Sequence, residues 1–438
     1  MKTINKIITL CFGIALLISC NQYTDGINED PNNFQNAPAE LLIGQGNLAV
    51  IKLSESQSSR VAGIWVDHFT GSDRQYELLQ IYGTTASDYD DDWDDIYTNG
   101  LAQAKLAEDG AVEIENPILE GVAQIQQAIL LGEAAALWGD VPNTEALDNV
   151  TYPNPNYDNQ LEVLSYVQNL LTKAISNLGG VKVSDFYNNG YVLNEATWKE
   201  VAHSLKARYY MIVKNYPMAL LEAKMGVSSP EASLMAFHSN AEGSKNLYYQ
   251  FQVELRGGYL TAAGPSHLYN LLNGTTARLL DTPGDSKRLA FYFNGTNINT
   301  TEEGYFAVDA SFPVVSWIET KLIEAEAEQR VNMGTAGEPA FTEVRNYLAT
   351  AYGDVFPTST SSGDQLLNEI LEEKYVSLPG SLQVFHDARR TKNVLGIPIK
   401  KPNGTLLPQR FLYPQTEINS NDNFPGLIDL FTPTEVNK

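Results

Sequence analysis

The chain has 438 residues and sets 53 Asp+Glu against 29 Lys+Arg, a formal charge of −24. Hydrophobic residues make up 43%, enough for a sizeable core, so disorder of the whole chain is excluded. The acidity argues against nucleic acid as a partner, because phosphate recognition needs a basic patch, and against adhesion to anionic lipid through basic side chains.

Lys2 and Lys6 precede an apolar run from Ile7 to Ile18. The run is shorter than the roughly 18 residues a membrane span needs. It ends in Leu17-Ile18-Ser19-Cys20, which is similar to a bacterial lipobox, with a small residue directly before the Cys that receives a diacylglycerol. The reading is a signal peptide over residues 1–19, lipidation at Cys20 and a polar tether over 20–38. An ordinary secretory signal with a chance cysteine is the alternative. Cys11 and Cys20 are the two cysteines of the chain. Processing therefore leaves no thiol for nucleophilic or redox chemistry, for a disulfide or for a cysteine zinc site.

Helical patterning dominates from residue 39 onward. Val122, Ile125, Ile129, Gly132 and Ala136 recur at steps of three and four, as do Leu164, Val167, Leu171, Ala174 and Leu178. Trp198, Val201, Leu205, Arg208 and Ile212 form a third stripe, Val315, Ile318, Leu322 and Ala325 a fourth, and Leu367, Leu371 and Leu378 a fifth. Gly139-Asp140-Val141-Pro142, Gly179-Gly180 and Pro379-Gly380 read as turns. Such pairs predict helical repeats of tetratricopeptide type, with a period near 34 residues. Residues 70–92, 141–160, 226–310 and 392–438 read as long irregular loops, which in a compact protein are usually functional. Short strands are expected around Leu247–Leu255 and Phe291–Phe293. Residues 39–438 read as a single unit.

Five segments, in order, resemble the SusD/RagB family of Bacteroidetes outer-membrane lipoproteins, in its SusD-like-2 branch. They are Ile27-Asn28-Glu29-Asp30-Pro31-Asn32 after the lipobox, Trp138-Gly139-Asp140-Val141-Pro142-Asn143-Thr144-Glu145-Ala146, and Glu324-Ala325-Glu326-Ala327. The others are Glu372-Glu373-Lys374-Tyr375 with His386-Asp387-Ala388-Arg389-Arg390, and the stretch from Pro408 to Asn419. The resemblance implies a mostly α, SusD-like fold with helical repeats and a loop-rich binding face. It implies a non-enzymatic surface protein that captures a glycan, or in some members a peptide, and hands it to a SusC-like TonB-dependent transporter. Membrane attachment would be through the N-terminal lipid alone, facing outward.

The residues themselves agree with binding. No Gly-x-Ser-x-Gly or Ser-x-x-Lys motif occurs, and the five histidines form no His-x-x-x-His pair, so no metal ligands are assigned. Asp88–Asp95 invites calcium, but an EF-hand counted from Asp88 would need Gly and Glu where Trp93 and Asn99 stand. A helix start, with carboxylates on the positive dipole end, explains the run better. A glycosidase needs two carboxylates in one cleft, and none of the acids is marked as such a pair. The Glu residues of 319–328 read as solvated or capping. Sugar rings stack on aromatic faces and their hydroxyls need bidentate polar partners. The loop Asp73-Arg74-Gln75-Tyr76, with Tyr82 beyond it, offers that mix, and the family places ligand contacts after its first long helix. Tyr259, beside Gly257 and Gly258, is a second candidate. Trp65, Trp138, Trp198 and Trp317 read as core, and Asp387 and Arg389 as packing and ion-pairing residues. A peptide-binding scaffold and, behind it, a surface glycoside hydrolase are the competing functions.

Overall fold

Short polar residues set the helix starts. The Asn116 side chain accepts the Leu119 N–H, and Pro117 fills the first turn, where its missing donor loses nothing. Thr197 and Ser316 cap the helices beginning at Trp198 and Trp317 in the same way. The computed structural model describes residues 37–182 and 197–438, so the signal segment, Cys20 and the tether up to residue 36 lie outside the described residues. Residues 39–438 form one contact unit.

The chain order begins α1 (Ala39–Glu55), α2 (Gln57–Trp65), β1 (Thr70–Gly71), α3 (Gln75–Gln80), α4 (Asp90–Ile96), α5 (Ala102–Glu113), α6 (Pro117–Trp138) and α7 (Gln160–Asn177). It continues α8 (Trp198–Ile212), α9 (Tyr216–Ala223), β2 (Leu234–Ala236), α10 (Leu247–Tyr249), β3 (Leu260–Thr261), α11 (His267–Leu272), α12 (Asp285–Tyr292), β4 (Phe293–Asn294) and β5 (Asn297–Ile298). It ends β6 (Phe312–Val315), α13 (Trp317–Asn332), α14 (Glu338–Tyr352), α15 (Gly363–Ser377), α16 (Leu382–Arg390) and α17 (Gln415–Ser420).

The fold is mostly α, and consecutive helices pack as pairs: α5 on α6, α8 on α9, α13 on α14. Helix α6 is apolar around most of its circumference because α1, α5 and α7 all pack on it. Its Val122, Ile125 and Leu130 are fully buried, each stabilising by about 1.5–3 kcal/mol. Gly132 is required on that helix: a Cβ there would lie 2.4 Å from the Tyr209 ring of α8. The β content is small. Strands β1, β3, β5 and β4 form one antiparallel sheet in that order, and β2 pairs with β6.

Several sequence expectations are corrected. Leu247–Leu255 is helical rather than extended, because the Asn246 side chain accepts the Tyr248 and Tyr249 N–H groups and starts α10, which runs into a π-turn over Gln250–Leu255. Phe291 belongs to the last turn of α12, and the strand is Phe293–Asn294. Val315 ends β6, since the Ser316 cap delays the helix to Trp317. On α15 Leu371 and, just beyond it, Leu378 are buried as expected, but the stripe begins at Leu366 rather than Leu367, which is half-buried. Glu319 and Glu326 are buried, because α13 is enclosed by α9, α14 and α15. They pair with Arg208 and Arg390.

Candidate ligand-binding site

The segment after α2 is tied to the middle of the chain. Strand β1 pairs with β3, and the Ser72 N–H donates to the Tyr259 carbonyl at 2.9 Å. This brings Asp73 and Arg74 beside Tyr259. The Arg74 guanidinium lies 6.0 Å from the Tyr259 ring centre, and its Nε is 3.8 Å from Asp73 Oδ2. Arg74 and Gln75 are exposed.

Tyr76 turns the other way. On the short helix α3, Tyr76 and Leu79 are the inward positions, three residues apart. The Tyr76 ring stacks on Phe251 at 5.1 Å and meets the edge of Tyr259 at 5.7 Å. Its hydroxyl accepts from Arg60 Nε and donates to Gln57 Oε1. Tyr82 stands apart from this group. Its hydroxyl accepts the Lys400 N–H at 2.9 Å, and burial pushes its pKa up to about 12. Neither buried ring is open to a sugar face. Of the six positions chosen from the sequence, Asp73, Arg74 and Gln75 share one loop beside Tyr259, whose ring is itself buried at 5% exposure against Tyr76 and Phe251, and Tyr82 packs against the C-terminal segment.

The ring-walled space lies elsewhere. A cavity of about 640 Å³ opens between the loops at 230–235 and 299–305 and helices α12, α13 and α14. Phe291, Tyr305, Trp317, Tyr347 and Tyr352 line it. Trp317 meets Tyr347 edge-on at 5.3 Å, and Phe291 meets Tyr305 and Tyr352 at 5.5 and 6.0 Å. Phe291, Tyr305, Tyr347 and Tyr352 are half-buried, so part of each ring faces open space. Lys287 and Glu303 stand exposed on the lining, and neither has an ion-pair partner among the described residues. The volume falls in the range of small-molecule sites, and mobile polar groups over aromatic walls suit an amphipathic ligand. A second cavity of about 640 Å³ is lined by α5, α6, Tyr166 and the turn 142–148, with one aromatic ring among mostly aliphatic and polar neighbours.

The remaining candidates are accounted for by packing. Asp88 and Thr85 exchange bonds in a capping box ahead of α4, and Trp93 lies 4.6 Å from Tyr97. His203, His238 and His386 each contact one carboxylate, of Glu222, Glu55 and Glu133. His68 Nε2 meets the Tyr375 carbonyl at 2.9 Å. Among the described residues no group of three His, Cys, Asp or Glu is placed to hold a metal ion. Asp387 pairs with Lys374 and Arg390, while Arg389 donates to the Ala136 and Gln409 carbonyls.

A SusD-like family model, described as starch-binding and associating with the outer membrane, matches residues 31–254, just over half of the chain. The chain belongs to the SusD-like family. No curated protein matches the sequence. Among solved structures, a SusD/RagB family protein from Bacteroides thetaiotaomicron is 18% identical with a TM-score of 0.65, over 89% of this chain and 95% of that one. A chitin-binding SusD homolog from Flavobacterium johnsoniae is 15% identical with a TM-score of 0.67, over 90% of this chain and 98% of that one. At these identities the likeness is one of fold.

Sequence reasoning about this SusD-like chain marked 226–310 as a functional stretch, and most of the cavity's loop residues fall there. Tyr347 and Tyr352 are absent from that reading, while Trp317, read as core, is a core residue at 5% exposure that also lines the cavity. Tyr347 follows Val344 by three residues and Tyr352 follows Leu348 by four, so both continue the apolar stripe of α14 and periodicity alone reads them as core.

Proposed function

We propose that this SusD-like protein is a lipid-anchored outer-membrane protein that captures a glycan at the cell surface and passes it to a SusC-like TonB-dependent transporter, with no chemical step of its own. The observation that carries the glycan reading is the open cavity walled by Phe291, Tyr305, Trp317, Tyr347 and Tyr352. Pyranose C–H faces stack on such rings, while Lys287, Glu303 and the tyrosine hydroxyls supply hydrogen bonds at its margin. The family's starch-binding description and a chitin-binding structural relative support the same class of ligand. A hydrolase needs two carboxylates flanking the bond, and among the described residues this cavity presents Glu303 alone. The loop Asp73–Gln75 with Tyr259 is a second contact region. It sits at the β1 edge of the small sheet whose β4 edge follows Phe291 and Tyr292, about 14 Å away at the usual strand spacing.

The test is titration of the full chain with starch and chitin oligosaccharides, recovering the sugar afterwards. Tyr347→Ala is expected to weaken binding about two- to ten-fold, the scale of losing one stacking ring, and the recovered glycan is expected to be intact. Unchanged affinity in that variant removes the cavity from the site, and shortened product sinks the non-enzymatic reading. Purification of the native protein in mild detergent should bring a large β-barrel with it.

A further inference from the structure

The Asp73–Gln75 loop has a feature that neutral sugar recognition leaves unexplained. Arg74 has φ 47° and ψ −125°. Steric contact with Cβ closes that region to ordinary residues, and glycine alone adopts it freely. Such outliers concentrate where a side chain must be held for a ligand. The Arg74 side chain does not return the strain through internal contacts. It is 76% exposed, and its one ion pair is the 3.8 Å approach to Asp73.

A second exposed arginine lies on the turn that the Ser72–Tyr259 hydrogen bond ties to this loop. The turn Arg256–Tyr259 is closed by the Tyr259 N–H donating to the Arg256 carbonyl at 3.2 Å, with Gly258 at φ 81°. Arg256 is exposed, donates to its neighbour's Leu255 carbonyl, and has no ion pair among the described residues. Arg60, the third arginine here, is spent internally on Tyr76 and on the Glu55 carbonyl. Of the nearby acids, Glu254 is taken by Lys245 at 2.5 Å and Asp92 is buried against the Ser58 N–H, which leaves Asp73 and the exposed Glu77. The net charge of −24 acts weakly at this patch, because fields beyond about 10 Å are screened at physiological salt.

Resting on the glycan-capture reading above, we infer that Arg74 and Arg256, flanking Tyr259, form a subsite for an anionic substituent of the ligand, a uronate carboxylate or a sulfate ester. Guanidinium groups meet both through paired hydrogen bonds.

The experiment titrates the full chain with polygalacturonate, dextran sulfate, amylose and chitohexaose, alongside Arg74→Ala, Arg256→Ala and Arg74→Gly. Expected is tighter binding of one or both anionic polymers, weakening as NaCl rises. Each alanine variant should lose about ten-fold or more for the anionic polymer, the scale of a charged hydrogen bond. Arg74→Gly should lose the same affinity yet melt no lower than the parent chain, which separates loss of a ligand contact from loss of folding. Preference for polygalacturonate identifies a carboxylate, and preference for dextran sulfate a sulfate. Binding of amylose or chitohexaose alone, unaffected at Arg74 and Arg256, overturns the anionic subsite and leaves glycan capture standing. Anionic binding that survives all three variants overturns the assignment to these arginines. Failure to bind any of the four overturns both, and a peptide with a free carboxylate becomes the next probe.

Discussion

Asp92 carries a stability penalty that pH can remove. It is buried, its Oδ1 accepts the Ser58 N–H at 3.3 Å, and its Oδ2 has no partner. Burial raises its pKa to about 7, with the Ser58 bonds and Arg60 pulling only partly the other way. An unfolded aspartate titrates near 4. The folded state therefore holds the proton more tightly, and that stabilisation is complete below pH ~4 and lost as pH rises through about 7. At about 1.4 kcal/mol per pH unit the loss is on the order of 4 kcal/mol. Asp92→Asn keeps the acceptor and drops the charge. It should raise the denaturation midpoint clearly at pH 8 and little at pH 4; an equal gain at both would show that ionisation is not the cause. The acidic run shows how far the sequence was legible at this scale. Its role as a helix start followed from composition and the dipole, and Asp88 fills it. Asp92 shares the face of Tyr89, Trp93 and Ile96 at helical spacing, but that its carboxylate meets the Ser58 N–H of α2, 34 residues earlier, is not written in any local pattern.

Among the elements, α12, α14 and α15 meet through charge. Glu373 of α15 is 0% exposed and accepts from Arg288 of α12 and Arg345 of α14, each at 2.5 Å, and from Arg278 at 3.1 Å. Asp285 and Glu372 complete the neutralisation of the three guanidiniums. Burial alone would raise the Glu373 carboxyl, but Arg288, Arg345 and Arg278 outweigh it and hold it well below the usual range. Since α12 carries Phe291 and α14 carries Tyr347 and Tyr352, this network fixes the spacing of the cavity walls. Glu373→Ala leaves buried Arg345 without a carboxylate and Arg278 and Arg288 with Asp285 and Glu372 alone, and should cost about 3–5 kcal/mol in denaturant unfolding. A loss under about 1 kcal/mol would mean that water or a shifted acid replaces it. The helices themselves were readable from their 3.6-residue stripes, and the motif around Glu373 from resemblance. Its partners were not. Arg288 lies 85 residues away in a stretch read as irregular, and no periodicity links charges across such a separation.

At the scale of the whole molecule, capture and attachment are separable. Among the described residues no helix is long and apolar enough to cross a membrane, so the proposed anchor is the lipid on Cys20. The stretch Cys20–Pro38 can reach at most about 65 Å when fully extended. On the proposed reading, a tether of that length would hold the binding unit near a membrane partner at an effective concentration of about millimolar, so even a weak contact with a transporter would be occupied. Cys20→Ser is therefore expected to abolish incorporation of labelled palmitate and to empty the outer-membrane fraction of this protein. Cells carrying the variant should lose surface binding of a labelled glycan, while the purified variant titrates with unchanged affinity, since the cavity and the arginine patch both lie beyond the tether. Palmitate labelling that persists in the variant would place the anchor elsewhere. Loss of affinity in the purified variant would mean that the binding face depends on the lipidated end, and that the two functions are coupled.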